Sequence, residues 1–247
     1  MPSVSLIVEH LDSLLDPAAY DDYGPNGLQV PGRETVQTVV TAVSANVATF
    51  TRAREEGADL VLVHHGLFWD FLPTGLTPTL AERVRPLFKH DVALAAYHLP
   101  LDAHPEVGNN ALLAEALGAS GHEAFAGIGR GATFDVPVPA PELFARVAEV
   151  TGREPLVFDG GPPEVRRLAI VSGGAASRLG AAVAEGYDAF LTGEPKENVM
   201  ADAREAGIHF IGAGHYATET FGVRQLGDLL AAEFGIEHVW VDLPNPV

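Results

Sequence analysis

Apolar residues at Val4, Ile7, Val8, Leu11, Leu14 and Leu15 recur at helical spacing. They predict a helix over 4–15 that Pro17 stops. The stretch 21–32 (DDYGPNGLQVPG) is rich in turn residues and reads as a loop with a short strand. VQTVVTAVS (36–44) is rich in β-branched residues and predicts a strand. Asn46 is placed to cap a helix through Glu56, which Gly57 ends. DLVLV (59–63) is a short buried strand, Pro78 opens a helix to about His90, and VALAAY (92–97) is a further strand. Asn109 or Asn110 caps a helix that Gly118 closes. Past Gly118 the chain is first rich in Gly and Pro, then gives a strand, a helix started by Pro141 and another strand. Strands alternating with helices predict an α/β fold with a largely parallel sheet.

The second half repeats the plan of the first. VTAVSANVATFTRAREEGADLVLVHH (40–65) sets against LAIVSGGAASRLGAAVAEGYDAFLTGE (168–194): strand, turn, a helix ending in Glu-Gly, and a second strand. VALAAYHLPLD (92–102) likewise sets against IHFIGAGHYATE (208–219). Gly118 then falls on Gly235, His98 on His215 and Asp102 on Glu219. The expectation is an internal duplication in two related α/β lobes, 1–125 and 126–247, with a metal site at their interface. The first lobe would carry His64, His65 and Asp102, the second His215 and Glu219.

Composition narrows the chemistry. Of 247 residues 47% are hydrophobic, as in an ordinary globular chain. With no cysteine, a disulfide scaffold, a thiolate metal site and a Cys nucleophile are excluded. No apolar run approaches the roughly 18 residues of a membrane span. Glu9 and Asp12 interrupt the N-terminal apolar stretch, which also lacks a basic region, so it does not read as a signal peptide. The expected compartment is the cytoplasm. Fifteen Lys and Arg against 33 Asp and Glu give a net charge of −18. Such a surface repels phosphate backbones, and nucleic acid is not an expected partner. An acidic chain with ten histidines suits cations better.

Three signals carry chemistry. His64-His65-Gly66 ends an otherwise apolar strand, and ligands in open α/β sheets bind beyond the carboxyl ends of strands. Neighbouring strand residues face opposite sides, so the two imidazoles reach two ions, or one if the chain turns at Gly66. A hydrogen-bonded strand end is the plainer alternative. His98 and Asp102 follow the next strand. Pro100 lies between them and argues for a loop, in which Asp102 could equally be a turn residue. His215 and Glu219 follow two glycines and share a helical face at i,i+4, which is a ligand pair or an ordinary surface pair.

Together, His64, His65, Asp102, His215 and Glu219 form a nitrogen and oxygen donor set suited to Zn, Fe, Mn, Co or Ni. Five ligands exceed what one catalytic zinc uses, whereas two divalent ions bridged by Glu219 would use all five. Paired ions lower the pKa of a shared water and clamp attacking and leaving oxygens, the chemistry of metal-assisted hydrolysis. His98 is the candidate acid/base, since an imidazole titrates near neutrality. Glu194, where Thr192-Gly-Glu194 stands in place of His64-His65, is a weaker candidate for proton transfer, as is Lys196. Ser172-Gly-Gly174 is a glycine-rich turn that either holds an anion or serves packing. His10, His90, His104, His122, His209 and His238 have no matching carboxylate in sequence and read as surface or core residues.

DYGPNGLQV (22–30), LVHHGLFW (62–69), YHLPLDAHPEVGNNALLAEALG (97–118), TGE (192–194) and GAGHYATE (212–219) resemble the Nif-three-like family of dinuclear-metal proteins. Members carry the name GTP cyclohydrolase I type 2 or its homologues, and this chain is similar to the short form. The resemblance implies that the family's metal ligands fall on His64, His65, Asp102, His215 and Glu219, with His98 on a further histidine near the metals. It also implies a three-layer α/β/α fold in two related lobes and a toroidal homohexamer with metal sites facing an internal cavity. The implied activity is hydrolytic opening of the GTP imidazole ring with release of formate. GTP would bring about four negative charges that the ions, Lys196 and arginines such as Arg130 or Arg178 would offset. The alternative is a non-catalytic hexamer that binds metal or a partner, for storage, delivery or regulation.

Overall fold

Thr38–Ser44 and Leu60–His65 are buried over almost their whole lengths, on both faces. Such strands sit inside a sheet covered on both sides, where β-branched runs rather than alternating patterns are favoured. The computed structural model describes all residues, 1–247. It divides into two compact units: Met1–Leu101 with Gly222–Leu243, and Asp102–Phe221 with Pro244–Val247.

The first unit contains α1 (Val4–Leu15), β1 (Gly27–Val30), β2 (Thr38–Ser44), α2 (Val47–Glu55), β3 (Leu60–His65), α3 (Pro78–His90) and β4 (Ala93–Ala96). The short helix α4 (Leu99–Ala103) leads out of it, and α10 (Thr220–Phe234) returns to it, followed by β11 (Glu237–Trp240). Its sheet runs β1-β4-β3-β2-β11. All neighbours are parallel except β1, which is antiparallel to β4. Phe50 and Ala53 of α2 and Val84 and Leu87 of α3 pack with Val40, Val61 and Leu94 in one apolar cluster. Burying a side chain such as Leu87 or Phe50 contributes about 1.5–3 kcal/mol. Helix starts follow the sequence: Asn46 Oδ1 accepts from Thr49 N at 3.0 Å, and Pro78 occupies the first turn of α3.

The second unit contains α5 (Asn109–Ala116), β5 (Gly121–Phe125), β6 (Gly129–Pro139), α6 (Ala140–Thr151), β7 (Leu156–Phe158), β8 (Glu164–Val171), α7 (Leu179–Ala184), β9 (Ala189–Thr192), α8 (Val199–Ala206), β10 (His209–Gly212) and α9 (His215–Thr218). Its sheet runs β5-β6-β8-β9-β10-β7, with β8, β9 and β10 parallel. Leu113 of α5 and Leu143 and Val147 of α6 cluster with Leu168 and Leu191. Leu179 of α7 and Val199 and Ala203 of α8 cluster with Val171, Phe190 and Phe210. Two separate clusters drawn from one sheet put helices on both of its faces, a three-layer arrangement within this unit.

The two sheets share local devices. Asp59 Oδ2 accepts from the backbone N–H of Gln37 and Thr38 at 2.7 and 3.1 Å. Asp188 Oδ2 accepts from Arg166 and Arg167 N–H at 2.8 and 2.9 Å. Each carboxylate directly precedes a strand, β3 or β9, and accepts from backbone N–H groups at or in the parallel strand before it, β2 or β8.

Three local expectations need correction. Residues 99–103 are helical, not a loop, because Pro100 falls in the first turn of α4, where its missing N–H costs nothing. Asn109 and Asn110 do not cap α5. Gly108 stands at the cap, and both asparagines are buried in the first turn. The compact units also differ from a cut at 125. Gly121–Phe125 pairs with β6 in the second sheet, and β11 pairs with β2 in the first. Asp102 consequently groups with the second unit.

Candidate metal centre

In the first unit β3 delivers His64 and His65 at its carboxyl end, and His98 follows β4. The rings of His64 and His65 lie 4.7 Å apart, those of His64 and His98 5.1 Å, and those of His65 and His98 5.6 Å. Each offers a ring nitrogen within 4.8 Å of the other two. The chain turns at Gly66, where a Cβ would strike the side chain of Gln29. Gln29 fixes that turn, accepting from Leu67 N at 2.8 Å and donating to Pro25 O at 2.8 Å.

In all three imidazoles Nδ1 is engaged. His64 Nδ1 is 3.0 Å from Tyr97 O, His65 Nδ1 is 3.2 Å from Ser44 Oγ, and His98 Nδ1 is 2.6 Å from Asp22 Oδ1. A neutral ring that donates through Nδ1 keeps its lone pair on Nε2, and such outer partners set the ring orientation of metal-binding histidines. Asp22 is itself well anchored: its Oδ2 accepts from Leu99 N and Asn26 Nδ2, both at 2.9 Å. Burial alone would raise the Asp22 pKa. The hydrogen bonds from His98, Asn26 and Leu99, with the partial positive charge on the His98 N–H, outweigh burial and hold it below the usual value.

In the second unit His215 opens α9, and Glu219 follows one turn later. His215 Nε2 lies 3.2 Å from Glu219 Oε1, and its Nδ1 is hydrogen-bonded to Glu194 Oε1. Burial alone would lower the His215 pKa, but Glu219 and then Glu194 overcome it and raise it to about 9. Asp102 offers a carboxylate oxygen within 4.8 Å of one on Glu219. Its Oδ1 accepts from Asn109 Nδ2 at 2.8 Å and Ser172 Oγ at 2.9 Å. Asn110 donates to Asp102 O at 3.1 Å and accepts from Ser172 N at 2.7 Å. Gly173 has φ +66°, and a Cβ there would run into Glu219 Oε1 and His215. The glycine turn 172–174 thus brings the acidic and imidazole groups together. It is not an anion cradle, since a Ser172 hydroxyl given to Asp102 and a neighbouring Glu219 repel negative charge.

These donors fit a divalent metal. They are imidazole nitrogens and carboxylate oxygens, held by buried hydrogen bonds, and glycine backbone leaves room beside them. Lys196 is exposed and bonds to nothing in the site. His209 and His238 do have carboxylate neighbours, Asp159 at 2.9 Å and Asp228 at 2.8 Å. Each also bonds within its unit, to Pro162 O and Thr41 Oγ1, and serves structure.

A family model for Duf34/NIF3 (NGG1p interacting factor 3) matches residues 2–246. The chain belongs to the Duf34/NIF3 family. A Pseudomonas aeruginosa relative named GTP cyclohydrolase 1 type 2 homolog is 44% identical over 252 residues, covering 99% of this chain and 98% of that one. The solved structure of protein ybgI, described as of unknown function, is 40% identical with a TM-score of 0.95, covering 99% of this chain and 100% of that chain. A Thermus thermophilus protein, TTHA1606, is 40% identical with a TM-score of 0.92, at the same coverages. The mixed α/β architecture with two sheets is therefore that of the Duf34/NIF3 family.

Sequence reasoning missed Asp22, Asn26, Asn109, Asn110 and Trp69 as parts of this chemistry. Asp22 lies 76 residues from His98 in the chain, so no spacing rule links them. Asn109 and Asn110 are legible only as helix caps, and Asn26 only as a loop residue. Trp69 meets His98 edge-on, with ring centroids 5.0 Å apart, and its Nε1 donates to Gly66 O.

Proposed function

We propose that this protein is a dinuclear-metal-dependent hydrolase acting on a nucleotide or related heterocycle, of the GTP cyclohydrolase 1 type 2 kind. The residues that would hold the ions are His64, His65, Asp102, His215 and Glu219. The observation that carries the reading is that His64, His65 and His98 each bring a ring nitrogen within 4.8 Å of the other two while Nδ1 of each is hydrogen-bonded. The names of the relatives give the substrate class its support. Two bound divalent ions supply Lewis acidity, lowering the pKa of water and stabilising developing negative charge.

The chain's own groups do the rest. Asp22 orients His98, whose Nε2 is suited to accept a proton from water and return it to the leaving nitrogen as a purine imidazole ring opens. Glu194 orients His215 through Nδ1. Asn109 and Ser172 donate hydrogen bonds to the buried Asp102 carboxylate and fix its orientation. The assembly is a homohexamer acting in the cytoplasm.

The test is metal analysis of the purified protein, followed by incubation with GTP and measurement of formate. Metal near two per chain, with formate release abolished in His65→Ala and Glu219→Ala, supports the reading. Equal turnover in those variants overturns it. Tightly held metal without turnover across a nucleotide panel makes the protein a non-catalytic metal binder instead.

A further inference from the structure

Residues 66–77 form a loop between β3 and α3 that exposes an unusual set of apolar groups. Phe71 is 73% exposed and Leu76 67%. The same loop lines a cleft of about 620 Å³, with Pro25, Leu67, Trp69, Asp70, Leu72 and Leu76 in its wall. This volume is that of a small-molecule pocket, which is typically apolar with a few placed polar groups. Pro25, Phe68 and Trp69 also line the small cavity that reaches His64 and His98. Trp69 therefore lines both the cleft and the cavity beside the imidazoles. Its indole stacks on Phe71 at 18° and 5.8 Å and presents its edge to His98.

The lining has one ionisable group, the Asp70 carboxylate. With no cation there, the cleft rejects phosphate and accepts a neutral, flat, apolar-faced ring. A carboxylate only accepts hydrogen bonds, and two adjacent N–H donors on a ring edge match its two oxygens. We infer that this cleft is the base subsite of the site proposed above: it stacks a purine on Trp69 and reads a guanine-type donor edge with Asp70. An adenine edge presents an acceptor at the corresponding ring nitrogen and is refused. The inference rests on the nucleotide reading and gives that reading a base and an orientation, with the phosphates outside the cleft.

The chain has two tryptophans, so Trp240→Phe leaves Trp69 as the one indole emitter. Guanosine, inosine, adenosine and ribose 5-phosphate are titrated into this metal-loaded protein, and guanosine binding is measured by calorimetry in the parent, Trp69→Leu, Trp69→Phe and Asp70→Asn. Saturable quenching by guanosine and none by ribose 5-phosphate is expected. Trp69→Leu should weaken guanosine by about tenfold or more, with Trp69→Phe between it and the parent. Asp70→Asn, an exposed position, should bring guanosine down to the affinity of inosine, which has one donor fewer. Metal content stays unchanged in all three variants. Parent-like guanosine affinity in Trp69→Leu and Asp70→Asn, or equal quenching by ribose 5-phosphate, overturns the inference. A change in oligomeric mass with unchanged guanosine affinity also overturns it and makes the loop a subunit contact. Guanosine binding through Trp69 with no formate from GTP keeps the subsite and removes the hydrolase. Formate release with an unchanged KM in Trp69→Leu does the reverse.

Discussion

Asp22 Oδ1 and His98 Nδ1 lie 2.6 Å apart, joining the loop before β1 to the end of β4. Asp22→Asn keeps an acceptor for Leu99 N but loses the negative charge that steadies the His98 ring. Formate release from GTP should fall roughly 10-fold or more, because the proton-transferring imidazole loses its orientation, while metal content stays at the parent level. Turnover assays beside metal analysis measure both. Parent-like turnover shows that His98 and its partner stand apart from proton transfer.

His215 predicts a pH-dependent stability for the metal-free protein. Its folded pKa of about 9 stands above the ordinary 6.5, so the folded state binds the proton more tightly than the unfolded state does. The stabilisation is complete below about pH 6.5 and is lost as pH rises through about 9. Urea midpoints of chelator-treated protein should decline between pH 6.5 and 9, and His215→Gln should flatten that decline. A ligand imidazole must be neutral, so metal affinity should rise over the same interval. A midpoint independent of pH in that interval would dismiss the His215 contribution.

Gly173→Ala should weaken folding and metal binding together. The position has a left-handed φ of +66°, and the added methyl meets Glu219 and His215. The strain costs about 1–3 kcal/mol, and relief requires Glu219 to move. Reduced thermal stability together with reduced metal content is expected. Full metal content would show that Glu219 tolerates displacement.

Asn109→Ala removes a donor from the buried Asp102 carboxylate, which keeps Ser172. The loss should be about 1–3 kcal/mol in denaturant unfolding, larger than an exposed asparagine would give. In Asn109→Asp two carboxylates would face each other, and a still larger loss is expected. A neutral effect of both changes would mean that Asn109 is idle.

The elements themselves were plain in the sequence because local patterns specify them. The run 36–44 could only be a buried strand, and Pro78 and Asn46 mark helix starts through their own backbone and side-chain preferences. Pro100 misled because a proline ends a helix from within but is welcome in its first turn, and only the structure reveals which position it holds. Asn109 and Asn110 misled for a related reason. A side chain that caps a helix in isolation is free to serve a buried carboxylate once one is brought near.

By itself the chain determined the chemistry available to it: imidazoles and carboxylates without thiolates, at the ends of strands, on an acidic α/β protein. Those facts depend on residue identity and short-range spacing. Tertiary structure alone decided that Asp22 holds His98, that Ser172 and Asn109 hold Asp102, and that β11 returns to the first sheet. Apart from Asn109, seven residues from Asp102, these pairings join residues scores of positions apart. They arise from closing a sheet and burying its faces, which no local pattern encodes.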